Sequence, residues 1–140
     1  MGKNFNGTLI NNSCTIVEKA GVAMDDCRNK ILKYDGSGDV VLATAGADIP
    51  VGIAIIEAGC NDITGAESGK VDKGDDVDLL IKDIGFVIAG AAITKGQEVT
   101  AMDGGLAGPA SATNYVIGIA LNSAQENEYC KIQICKYQKN

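Results

Sequence analysis

The densest group of side chains that could do chemistry is four carboxylates in the segment VDKGDDVD, residues 71–78. Its members are Asp72, Asp75, Asp76 and Asp78. A calcium loop would need a regular Asp-x-Asp-x-Asp-Gly spacing and a closing glutamate, and this segment has neither. The adjacent Asp75 and Asp76 would point to opposite faces of a strand, so they could not easily share a proton or flank a substrate. We interpret the segment as a solvated acidic turn, with weak cation binding left open.

The sequence lacks several motifs of catalytic, metal-binding and nucleotide-binding sites. The chain has no histidine, so Ser-His-Asp and Cys-His catalysis cannot be built from these 140 residues. Its five cysteines include no Cys-x-x-Cys pair, and zinc sites usually need tighter Cys/His spacing. Neither glycine-rich nucleotide motif occurs. We therefore expect no enzyme activity, no cofactor and no metal site, although a Ser-Lys or carboxylate mechanism remains conceivable.

The segment ITKGQEVT at residues 93–100 repeats the Lys-Gly, polar, acid, valine pattern of the acidic segment. Lipoyl and biotinyl carrier domains share this pattern, but they place a modifiable lysine where this chain has Asp103 after Met102. A carrier function is therefore not expected. What repeats is a turn, in which Gly74 and Gly96 permit a positive φ and the acid and valine begin the next strand.

The elements that must position these turns are short strands. Apolar runs such as VGIAIIEA and NYVIGIALNSA alternate with turns rich in Gly, Asp and Asn, roughly every 8–12 residues. No long window has a helical period. The pattern predicts an all-β single domain, a barrel or a sandwich of about eight to ten strands. The DGG at residues 103–105 predicts a hairpin.

Two strand segments share a Gly-Ile-Ala core, PVGIAIIEA at residues 50–58 and VIGIALNSA at residues 116–124. Glycine inside a strand indicates a bulge, a bend or the close approach of another backbone. We therefore predict that Gly52 and Gly118 occupy two equivalent corners of one curved sheet.

Composition narrows the classes of partner. The net charge is −6 and the acidic excess falls on residues 41–128, so we expect no nucleic-acid partner. No run approaches the roughly 20 apolar residues that a membrane helix needs, and we expect no membrane association. The N-terminus lacks a secretion signal, which predicts a cytoplasmically made protein. Without tryptophan and with only two phenylalanines, the core must consist of small and β-branched residues.

The sequence resembles the tailed-phage capsid cement proteins, also called head decoration proteins. The family pattern is an aliphatic strand, a Lys-Gly turn, an Asp-Gly hairpin, a Gly-Ile-Ala strand and a closing strand. Residues Ile88–Val99, Asp103–Leu106 and Val116–Leu121 carry the match. The resemblance extends from about residue 30 to residue 135, and its motifs are turns and aliphatic residues.

The resemblance implies a non-enzymatic virion protein with a small β-barrel or β-tulip-like fold and an extended N-terminal arm. Such proteins associate as homotrimers on the outer capsid surface, after assembly in the host cytoplasm, and clamp neighbouring major capsid subunits. We expect residues 1–17 to form the arm and first strand, and residues 18–140 the decoration domain. From position and composition, Phe5, Leu9 and Ile10 are the expected capsid contacts of the arm.

A second class of function stays open at the level of sequence. The chain could be a small β-rich binding module whose loops 59–73 or 103–114 hold a host glycan or receptor. Sugar sites are usually marked by aromatic clusters, and here only Tyr115, Tyr129 and Tyr137 lie near such loops.

Overall fold

The computed structural model describes residues 13–55 and 69–140. Within these residues the chain forms ten strands and one short 3-10 turn, Asp103–Gly105. The strands are β1 (Thr15–Lys19), β2 (Ile31–Tyr34), β3 (Val40–Leu42), β4 (Pro50–Ala54), β5 (Asp76–Leu80), β6 (Ile84–Ile88), β7 (Glu98–Ala101), β8 (Ala107–Pro109), β9 (Tyr115–Ala120) and β10 (Tyr129–Gln138). The all-β class predicted from the turn spacing is therefore confirmed. The described residues contain no helix long and apolar enough to span a membrane.

The strands form two antiparallel sheets of five strands each. The first has the order β1-β5-β4-β2-β3 and the second has the order β6-β10-β9-β7-β8. Adding five to each strand number of the first sheet reproduces the order of the second. The chain is therefore a tandem duplication of one five-stranded topology, and β4 and β9 hold equivalent central positions.

Each sheet curls until its outer strands meet. A parallel bridge joins Ala20, just after β1, to Val40 of β3, and another joins Ala89, just after β6, to Ala107 of β8. No ladder among the described strands joins one sheet to the other. Of the barrel or sandwich expected, the described strands form two curled sheets and no closed barrel, because each half of the chain supplies strands that pair among themselves.

A core of small and β-branched side chains joins the two sheets. Ile31 and Ile53 of the first sheet pack in one cluster with Val87, Ile117 and Ile132 of the second. Full burial of such a side chain contributes about 1.5–3 kcal/mol, so many modest side chains can replace a few aromatic ones. No aromatic side chain of the described segments belongs to this buried set.

A second cluster fills the curve of the first sheet. Its members include Leu32, Val51, Val71, Val77 and Leu79. Because the first sheet contacts this cluster on one face and the second sheet on the other, β4 is buried at every position. The first sheet is therefore packed on both faces of its central strand, β4.

The two Gly-Ile-Ala segments lie in the equivalent strands β4 and β9. In both strands the pairing register shifts by one residue beside the glycine, at Val51 in β4 and at Ile117 in β9. A Cβ at Gly52 would overlap the carbonyl oxygen of Leu80, and a Cβ at Gly118 would overlap that of Gln133. Each glycine thus lies where a neighbouring strand passes too closely for a side chain. The two strands belong to separate sheets, not to one.

Candidate functional site

The two Lys-Gly turns build the same local structure. Gly74 and Gly96 both have φ 91°, a region that side chains rarely adopt. The N–H of Gly74 donates to the carbonyl oxygen of Ala20 at 2.8 Å, and the N–H of Gly96 donates to that of Ala120 at 2.8 Å. Both alanines are buried, so each turn closes over the end of a strand.

Each of these turns is capped by a side chain that follows its glycine. Asp75 Oδ2 accepts from the N–H of Asp72 at 2.8 Å, and Gln97 Oε1 accepts from the N–H of Thr94 at 2.7 Å. The capping residue is thus the variable polar position of the repeated pattern, and the acid that follows it has another task.

The acidic cluster is divided among structural tasks. Asp75 caps its turn, and Asp76 pairs with Lys19 across the surface of β1 and β5. In the part of the chain that the structure describes, no three Asp, Glu or Cys side chains are grouped as a metal site requires. The segment therefore offers no assembled cation site there.

The same turn occurs twice more without a Lys-Gly signature. Asn29, at φ 59°, donates its N–H to the carbonyl oxygen of Ala54 at 2.7 Å. Asn127, at φ 70°, donates to that of Ala89 at 2.7 Å. Four strand ends are therefore closed by one kind of turn. Asparagine tolerates positive φ better than most residues, which was the available signal for these two.

One exposed apolar patch lies on the edge strand β6 and the start of β10. It consists of Ile84, Phe86 and Tyr129, each at least half exposed. The rings of Phe86 and Tyr129 meet edge to face, with centroids 6.4 Å apart. We call these three residues the β6 patch. Exposed apolar groups of this kind mark contact surfaces more often than single scattered residues do.

A second apolar surface is a groove beside the loop between β3 and β4. It comprises two cavities of about 550 Å³ and 290 Å³ that share Ile49, Pro50 and Lys136. The larger cavity extends toward Ile16 of β1, and the smaller one toward Tyr115 of β9. The groove therefore runs from the first sheet to the second, and Ile49 in its middle is 65% exposed.

Asp48 holds the loop that presents Ile49. Its Oδ2 accepts from Thr44 N at 2.8 Å, from Thr44 Oγ1 at 2.7 Å and from Ala45 N at 3.1 Å, while its Oδ1 lies 3.0 Å from Lys33 Nζ. Partial burial acts to raise the pKa of Asp48, but these hydrogen bonds outweigh it and lower the pKa to about 2. The groove is therefore lined by a fixed loop.

The far end of the groove is fixed by Glu98. Tyr137 Oη donates to Glu98 Oε2, and Lys139 Nζ lies 3.1 Å from Glu98 Oε1. The hydrogen bond to Glu98 raises the pKa of Tyr137 to about 12. These contacts tie the end of β10 to β7 and set the position of the Tyr137 ring.

Among the described residues, the side chains singled out from the sequence do not form one site. Phe5, Leu9 and Ile10 lie outside the described residues, and so does most of loop 59–73. Tyr129 and Tyr137 stand near opposite ends of β10, so the tyrosines form no single aromatic cluster. The predicted hairpin at DGG is confirmed, since β7 and β8 pair around it, and loop 103–114 therefore contains a strand.

Comparison with known proteins gives a family match and a similar solved structure. Residues 1–135 match the family described as structural cement protein (E217 gp24/Pam3 gp6). No curated protein matches the chain. Among solved structures, the head fiber gp8.5 N base of bacteriophage phi29 is similar, with a TM-score of 0.64 and 24% identity over 90% of this chain and 97% of that one. At this identity the likeness shows a shared fold.

Proposed function

The chain belongs to the phage structural cement family, and from this premise we propose that it binds the outside of a capsid and clamps neighbouring major capsid subunits. The observation that carries the proposal is the family match, because it spans both sheets of the fold. A structural role at the phage capsid follows from the family. The clamping action, the outer location and assembly in the host cytoplasm are proposed here.

Two separate apolar surfaces support a bridging role. The β6 patch includes Tyr129 at the start of β10, and the groove includes Lys136 near its end. Tyr129 and Lys136 are seven residues apart, about 23 Å at roughly 3.3 Å per residue, while Ile84 of the patch pairs with Gln133, three residues from Lys136. A molecule that joins two subunits needs two such surfaces on a stiff frame, and the doubly packed sheets provide that frame.

The N-terminal segment is proposed to add a third contact. We assign residues 1–17 to an arm and first strand and residues 18–140 to the decoration domain, with Phe5, Leu9 and Ile10 as apolar contacts on the capsid. The described chain begins at residue 13, and β1 starts two residues later. An arm tethered to a docked domain acts at high effective concentration, so modest contacts suffice.

The proposed assembly is a homotrimer. Three copies would repeat each modest contact around one axis, which multiplies the avidity for a lattice. The acidic charge of −6 would keep the decorated surface soluble. Sedimentation of the free protein tests this part: a single species of three chains supports it, and a monomer at all concentrations contradicts trimer formation before docking.

Binding to heads tests the proposed function. The purified chain is mixed with expanded, undecorated heads of the cognate phage, and the pelleted protein is quantified against capsid subunits. We expect saturable binding at a fixed ratio. Unexpanded procapsids serve as the comparison. If the chain does not pellet with the expanded heads at any concentration, the proposal is wrong.

A further inference from the structure

The groove beside Ile49 has a chemistry that fits a particular kind of partner segment. We propose that it docks an extended, apolar segment of the major capsid protein that carries a carboxylate, with the carboxylate placed on Lys136. The inference rests on the proposed function, because that function supplies the capsid protein as the partner. It goes further by naming the docking site and the chemistry of the docked segment.

Lys136 is the uncompensated cation of the groove. Its ammonium donates to the carbonyl oxygen of Val51 at 2.7 Å, and no carboxylate of the described residues pairs with it. Lys136 is exposed as a residue, and the partial burial of its ammonium beside Val51 lowers its pKa. An ammonium has three donors, and only one partner oxygen is seen here.

The neighbouring cations are already neutralised. Lys33 pairs with Asp48 at 3.0 Å, and Lys139 pairs with Glu98 at 3.1 Å. A negatively charged ligand that enters the groove is therefore directed to Lys136 alone. A carboxylate from a partner would complete its hydrogen bonds and neutralise a partly desolvated charge, which is the favourable case for an interfacial ion pair.

Apolar side chains flank Lys136 on both sides. Ile16 and Ile81 line one end of the groove, and Tyr115 and Val116 line the other. An extended segment that places its carboxylate at the centre would lay apolar side chains on each end. Because the groove extends from one sheet to the other, a strand-like peptide fits it better than a compact ligand does.

The exposure of Ile49 is built into the fold. Its loop is held by the four contacts of Asp48, so Ile49 cannot fold inward without breaking them. A rigid loop that presents an apolar side chain loses little conformational entropy on binding. This is the preorganisation expected of a contact residue.

Two pairs of variants test the docking site on expanded, undecorated heads. Lys136→Glu should weaken head binding at least about tenfold, because it replaces attraction by repulsion at the centre of the groove. Ile49→Ser should weaken head binding about fivefold or more. Because Ile49 is exposed, this substitution should leave the fold intact. The matched controls are Lys95→Glu, the same charge change on an exposed turn, and Val22→Ser, the same apolar loss outside the groove. Both should bind within about twofold of the parent chain.

The outcomes separate the docking site from the proposed function. If the parent chain binds heads and both groove variants bind as tightly as their controls while keeping their thermal unfolding midpoints, the groove is not the site and the family function stands. If the parent chain does not bind heads at all, the proposed function fails and the docking site fails with it.

A photo-crosslinking amino acid at position 49 identifies the occupant directly. On decorated heads it should give an adduct whose mass is that of this chain plus one capsid subunit, and the same group at position 22 should not. An adduct of two copies of this chain would instead make the groove a self-association surface, and that result would overturn the proposal.

Discussion

The four turn residues that close strand ends show how a positive φ is adopted by different residue types. Gly74 and Gly96 fill the position in two turns, and Asn29 and Asn127 fill it in the other two. A Lys-Gly pair could be recognised in the sequence, because glycine is the usual residue at positive φ. The two asparagine turns could not, because asparagine adopts this region only in some contexts.

Substitution at Gly74 isolates the cost of that angle. No atom lies within 4 Å of a Cβ built there, so Gly74→Ala changes backbone strain without a steric clash. We expect the free energy of unfolding to fall by about 1–2 kcal/mol, measured by urea titration. Gly74→Asn should cost less. The control Gly36→Ala also meets open space without a positive φ and should be nearly neutral. Equal effects at Gly36 and Gly74 would contradict the strain argument.

The carboxylate of Asp48 should make stability depend on acid pH. Its pKa is lowered to about 2 from an ordinary 3.8, so its stabilising effect is complete well above pH 4 and is lost as pH falls through 2. A shift of this size corresponds to about 2 kcal/mol for a side chain that is mostly shielded from water.

Replacing that carboxylate should remove the pH dependence it causes. Asp48→Asn should lower the free energy of unfolding at pH 7 by about 1–2 kcal/mol and should flatten its decline between pH 4 and pH 2. Urea midpoints at pH 7, 4 and 2.5 measure both effects. If parent and variant decline in parallel over that range, Asp48 is not the group responsible.

At the scale of elements, the tandem topology explains why strand content was easier to predict than strand arrangement. Turn spacing sufficed for the short strands, since each is bounded by Gly, Asp or Asn. The shared Gly-Ile-Ala of β4 and β9 indicated two equivalent places. That these lie in separate sheets depends on pairings between distant residues, such as Thr15 with Leu80, which no local pattern specifies.

The groove could not be predicted from the sequence for a related reason. The register between β9 and β10 shifts between Ile134 and Tyr137, so one extra residue interrupts the alternation of β10. Simple alternation therefore does not predict which way Lys136 faces. Its contact with Val51, far away in the chain, appears only once both sheets are placed.

The close approach of strands at Gly118 gives a prediction for the central strand of the second sheet. Gly118→Ala would bring a methyl group against the carbonyl oxygen of Gln133, so the ladder between β9 and β10 must shift. We expect a loss of about 1–3 kcal/mol in the free energy of unfolding. Gly52→Ala in the equivalent strand should lose a similar amount. A Gly118→Ala protein as stable as the Gly36→Ala control would contradict the close approach of the two strands at Gly118.

At the scale of the whole molecule, the arm and the domain should be separable. Removing residues 1–12 leaves β1 and its pairing with β5 complete, since the strand begins at Thr15. The truncated chain should unfold at the same temperature and bind heads at least about tenfold more weakly. A full-length chain with Phe5→Ser, Leu9→Ser and Ile10→Ser should show the same loss. Normal binding by both would show that the arm is not a capsid contact.

The functional class could be predicted because the turn pattern resembled one family. The contact surfaces could not, because the β6 patch and the groove combine residues from distant strands. Both surfaces lie on one frame of packed sheets, and Tyr129 of the β6 patch is about 23 Å along β10 from Lys136 of the groove. That geometry suits a bridge between subunits.

The most direct test of the bridging claim is the temperature at which expanded heads rupture. Undecorated heads are heated with increasing amounts of the chain, and release of their contents is followed by dye fluorescence. The account predicts that the rupture temperature rises and saturates at the same ratio of chain to capsid subunit as binding does. A chain that binds the heads to saturation and leaves the rupture temperature unchanged would contradict it.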